Sequence, residues 1–230
     1  MKTLFRTIPI VALLWMGFIA LVQADVAATK HNLSSTQPDT VNNISTAATA
    51  FVCGFCHSPH TESGGPAPLW NRTTPAGPYT MYNVTASATM DMTVAGSPAS
   101  ISLACLSCHD GTVGFDQLIN GAGSGNYNAA GADQGWQFTL NGGNVADTMP
   151  AGGVTNLGTN LTGDHPISVT YDPTADTAFQ PLATVQAALQ LYGASENQVE
   201  CASCHNPHES TNPTFLRVGI DTLCTTCHIK

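Results

Sequence analysis

The chain has 230 residues, a formal net charge of −9 and only 9% charged residues. So acidic and so weakly charged a chain is a poor partner for nucleic acid or an anionic membrane surface. Beyond its amino-terminal stretch, large apolar side chains are too sparse for a core of ordinary size, and the low charge is compatible with self-association.

Met1 to Ala24 reads as a secretory signal peptide. Lys2 and Arg6 give a positive start, Ile10 to Val22 an apolar run, and Val22-Gln23-Ala24 a small-residue cleavage site. The apolar run falls short of the roughly 20 residues that a spanning helix needs. No cysteine at the cleavage site offers a lipid anchor. The expectation is export without a membrane anchor.

Next comes His31, then the run Cys53-Gly54-Phe55-Cys56-His57-Ser58-Pro59-His60. C-x-x-C-H is the attachment signature of c-type haem: two thiols add to the vinyl groups, and the histidine becomes the proximal iron ligand. The motif returns at Cys105 to His109, Cys201 to His205 and Cys224 to His228, which uses all eight cysteines. Zinc sites and disulfide scaffolds have no use for a histidine after every second cysteine. The chain is therefore expected to hold four covalent haem c groups. Their thiols are those of Cys53, Cys56, Cys105, Cys108, Cys201, Cys204, Cys224 and Cys227. Their proximal ligands are His57, His109, His205 and His228.

The remaining histidines are His31, His60, His165 and His208, one for each iron. That equality predicts bis-histidine ligation throughout, and low potentials. Met81, Met90, Met92 and Met149 are then not needed as ligands. Three residues span at most about 10–11 Å, and Pro59 stiffens the link. His60 should thus ligate a different iron from His57, and His208 a different iron from His205. Two schemes remain open. Either each half is self-contained, with His31, His60, His165 and His208 serving the haems in chain order, or His31 reaches a neighbouring protomer. Arg72 and Arg217 follow the two H-x-P-H motifs at similar distances, with a haem propionate or solvent as the expected partner.

The chain also repeats. Residues 25–230 read as one unit of two pseudo-repeats, about 25–120 and 160–230. Each holds a free histidine, a C-x-x-C-H-x-P-H and a plain C-x-x-C-H. Between them Gly111 to Gly163 is rich in Gly and Asn and reads as loop. Pro181 to Tyr192 is the best helix candidate, and Ile167 to Tyr171 the one short strand signal. The fold class expected is mostly irregular coil with short α-helices around haems, and little or no β-sheet.

Several stretches together resemble the secreted tetrahaem cytochromes of the OmcE type, the extracellular cytochrome filament family. They are Lys30-His31-Asn32-Leu33-Ser34, the first H-x-P-H, Pro68-Leu69-Trp70-Asn71-Arg72, Cys108-His109-Asp110-Gly111-Thr112-Val113 and Asp164-His165-Pro166. The resemblance implies a homopolymer outside the cell that carries electrons to external acceptors, with His31 able to ligate a neighbour's haem. A monomeric periplasmic shuttle is the alternative. A multihaem reductase fits less well, because every C-x-x-C is followed by histidine and the distal count closes.

Overall fold

The structure is a computed structural model that describes residues 25–38, 43–60, 65–121 and 127–229. The stretch read as a signal peptide lies outside the described residues.

The attachment motifs sit on short helical segments. The first occupies a 3-10 turn, Cys53–Phe55. The second ends α1, Ser100–His109. α2, Leu182–Gln186, follows Pro181 and buries Val185. The third motif forms α3, Cys201–Cys204, and the fourth closes α4, Ile220–Cys227. The helix expected over Pro181 to Tyr192 is therefore a short one. The chain leaves it at Ala187 and still buries Leu189 and Leu191.

The expectation of little or no sheet is overturned. Among the described residues, seven short strands make three small antiparallel sheets, and the rest is largely coil. β1 (Ile44–Thr46), β4 (Phe138–Leu140) and β5 (Gly143–Val145) form one sheet in the order β1-β4-β5. β2 (Leu118–Asn120) pairs with β3 (Tyr127–Ala132), and β6 (Val169–Thr170) with β7 (Gln198–Val199). Strands β2 to β5 all lie inside the stretch read as loop. The physical reason is the pair Asn141-Gly142, at φ +52° and +78°. It is the two-residue turn whose twist matches a hairpin, and it joins β4 to β5. Glycine and asparagine here punctuate strands too short to announce themselves by alternation.

The protein's own core is divided. Phe55, Phe115 and Phe138 cluster beside Cys56 and Cys108. Met81, Leu106 and Leu161 pack at the second motif. Met92, Val169, Tyr171, Val185, Leu189 and Leu191 pack beside Cys227. Each apolar cluster thus backs an attachment turn. No helix among the described residues is long and apolar enough to cross a membrane.

Candidate functional site

Three of the four attachment turns are built alike. At His57 the chain leaves its helical turn and bridges Trp70. The Asn71 N–H donates to the Cys56 carbonyl at 2.8 Å, and the Ser58 N–H to the Leu69 carbonyl at 2.9 Å. The Asn71 side chain reaches on to the Gly54 carbonyl at 2.7 Å. His205 repeats this pattern with Leu216 and Arg217. Arg217 N–H donates to Cys204, Asn206 N–H to Phe215, and Arg217 Nε to Ala202 at 2.8 Å. His228 repeats it with Phe179 and Gln180. Gln180 N–H donates to Cys227, Ile229 N–H to Ala178, and Gln180 Nε2 to Thr225 at 3.5 Å. Each strap fills carbonyls that the end of a helical turn would leave open. Leu69 and Phe215 share a positive φ, +52° and +63°, so two of the straps also bend alike.

The second turn is made differently. α1 continues through His109 to its cap at Asp110, whose N–H returns to Leu106. Gly111 follows at φ +72° and donates to the Cys108 carbonyl. This is a helix capped by a left-handed glycine. The Asp110 carboxylate accepts from Thr112 N–H and Oγ1 and from the Tyr79 hydroxyl.

The imidazoles are set for metal. Nδ1 of His57, His109, His165 and His205 lies 2.8–3.0 Å from the carbonyls of Pro68, Thr155, Pro166 and Thr214. A carbonyl only accepts, so Nδ1 carries the proton and Nε2 is left to bind iron. The rings also come in pairs. His31 stands 6.2 Å from His109, His57 6.0 Å from His208, and His165 6.4 Å from His228, centre to centre. Two imidazoles on opposite faces of one iron, with metal–nitrogen bonds of about 2 Å, place their centres roughly 6 Å apart. Burial, then His109, pushes the His31 pKa down to about 4, so its ring is neutral and able to ligate. The Pro207 carbonyl lies beside that ring, yet its Nδ1 is buried and makes no hydrogen bond. The residues present thus fit bis-histidine haem c.

The pairing is not the one expected within each half. His208 faces His57 and His31 faces His109, so the amino-terminal and carboxy-terminal segments interleave. His31 also stacks on Phe215 at 4.5 Å, which holds it inside its own chain. His60 and His205 are both exposed and stand outside these three pairs.

None of the eight cysteines is taken up in a disulfide, so each sulfur is available for a thioether bond. Cys105 and Cys201 lie side by side, so the second and third motifs meet at their first cysteines. Glu200 seals that junction. It is 1% exposed, and its Oε2 accepts from Ser102 Oγ at 2.5 Å and Ser168 Oγ at 2.9 Å. Burial raises its pKa.

Arg72 does not match the expected propionate partner. Its guanidinium is 1% exposed and donates to the carbonyls of Phe115, Ser107 and Gly114 and to Ser107 Oγ. It is a clamp between the segment after the first motif and the helix of the second. Arg217 is the structural counterpart of Asn71, not of Arg72. Met81 and Met92 lie in apolar clusters. Sequence reasoning missed the straps and Glu200. The signal for a strap is an amide or guanidinium side chain directly after an apolar residue, as in Trp70-Asn71, Phe179-Gln180 and Leu216-Arg217.

Residues 194–230 match a protein family described as a doubled CXXCH motif. The match covers the third and fourth turns and supports covalent haem c in a multihaem cytochrome of electron transfer. No curated protein matches the chain.

Proposed function

We propose that this chain is a tetrahaem electron carrier with every iron closed by two histidines, secreted and assembled into a homopolymer outside the cell. The three imidazole pairs carry the reading, because each brings two rings to the centre-to-centre spacing that two ligands of one haem iron would have. Bound haem supplies one-electron redox chemistry. The chain's own part would be to hold the imidazoles of His57, His109, His165 and His205 by Nδ1–H, to offer pairs of imidazoles to the irons, and to bring the second and third motifs together at Cys105 and Cys201. Closed irons leave no place for a substrate, which favours carriage over reduction of a bound oxyanion.

The polymer reading rests on low charge and on the surface. Phe51, Val84, Val154 and Ile220 are exposed at 64–98%. His60 and His205 are both exposed. Redox proteins or external acceptors would receive the electrons.

Negative-stain electron microscopy of the haem-loaded extracellular fraction tests the assembly. Thin unbranched filaments of this polypeptide are expected. Small discrete particles at all concentrations and salts would make it a monomeric periplasmic shuttle. Carbon monoxide added to the reduced protein tests the closed irons: no spectral change is expected, and a carbonyl spectrum would point to an open, reductase-type site.

A further inference from the structure

We propose that Asp116, Asp133 and Asp147 bind a hard divalent cation, calcium, which ties the chain after the second attachment turn to the β4–β5 hairpin. One carboxylate oxygen from each lies within 4.8 Å of the other two. The three residues come from separate places: Asp116 just before β2, Asp133 just after β3, and Asp147 just beyond β5.

Asp116 makes this more than a patch of surface acid. It is 0% exposed. Its Oδ2 accepts the Trp136 N–H at 2.8 Å, while its Oδ1 is buried with no hydrogen-bond donor. That orphan oxygen faces the cluster. A Cβ placed on Gly114 would stand 3.3 Å from Asp116 Oδ1 and 2.8 Å from Asp147 Oδ2, so the two oxygens converge on one spot that only glycine leaves open. Asp133 accepts the Gly135 N–H through Oδ1 at 2.6 Å, which fixes its carboxylate beside the others. Arg72 reaches the same loop, but its donors go to the carbonyls of Gly114 and Phe115.

Carboxylates this close cannot all stay ionised without a counter-charge. An all-oxygen, carboxylate-rich donor set selects hard cations. Ligands from three independent loops suit the adaptable shell of calcium better than the strict octahedron of magnesium. Asp133 is exposed, which gives the ion and its remaining waters a way in.

The test uses the full haem-loaded chain, stripped with chelator and titrated with calcium chloride at neutral pH by calorimetry, with thermal unfolding followed in parallel. One calcium per chain and a higher Tm are expected, with magnesium much the weaker. Asp133→Asn, at an exposed position that leaves the core intact, should weaken binding on the order of tenfold, and Asp147→Asn likewise. No heat and no Tm shift at millimolar calcium would overturn the proposal. So would a calcium equivalent held equally by both variants, since that ion would sit elsewhere, at propionates for instance.

Discussion

His57 and His109 carry the same five-residue motif and are held in opposite ways. His57 leaves its turn in extended backbone and is strapped by Trp70 and Asn71. His109 stays in α1, and Gly111 caps the helix behind it. The cause is local. His57 is followed by Ser58-Pro59, and proline disfavours helix at the residue before it. His205 is followed by Asn206-Pro207 and behaves as His57 does. His109 is followed by Asp110-Gly111, a helix stop that lets the last turn finish. The open carbonyls at the end of the motif are satisfied either way, from a distant strap or from the next residues in the chain.

The contrast can be broken one piece at a time. Arg72→Met should have the largest effect, because it removes four buried hydrogen bonds, to the carbonyls of Phe115, Ser107 and Gly114 and to the Ser107 hydroxyl. A loss of about 3–5 kcal/mol is expected in denaturant unfolding. Asn71→Ala comes next. It removes bonds to the Gly54 and Asn120 carbonyls and from the Asn120 N–H, at about 2–3 kcal/mol. Arg217→Ala, at the same place in the half-buried third strap, should lose about 1 kcal/mol. Equal losses at Asn71 and Arg217 would mean that the two straps are not graded by burial.

Gly111→Ala attacks the other device. An L-residue at φ +72° costs about 1–2 kcal/mol, and the new Cβ would stand 2.5 Å from Asn156 Nδ2. The loss should appear at the second turn, as lower hydrogen-exchange protection in α1 with the third and fourth turns unchanged. A loss spread evenly over all the turns would deny that they are held separately.

The smallest change is expected at Glu200, and it is one of slope. Its folded-state pKa is raised above the ordinary carboxylate value. The native protein therefore keeps a proton that the unfolded chain has released. That contribution to stability is full at acid pH and is lost as pH rises from the ordinary value through the raised one. Glu200→Gln should flatten this fall in a plot of unfolding midpoint against pH. A steeper fall in the variant would reverse the assignment.

The attachment turns were legible because covalent chemistry fixes both residue type and spacing. Proline 181 and the apolar residues after it located α2, though not its length. The sheets were not legible: β6 and β7 are two residues each, too short to show a period. The hairpin at Asn141-Gly142 was legible in principle, yet its surroundings of Gly and Asn read as loop composition. Histidine pairing lay beyond sequence, since His31 meets His109 and His208 meets His57 only through the tertiary fold. Asp116 gave no sign either, because an orphan carboxylate oxygen exists only once the chain is packed around it.

The most direct measurement is the intact mass of the haem-loaded chain after thiol alkylation under denaturing conditions. The account predicts four covalent haems and no alkylated cysteine among the eight. Fewer haems, with alkylated thiols at one of the C-x-x-C pairs, would contradict it.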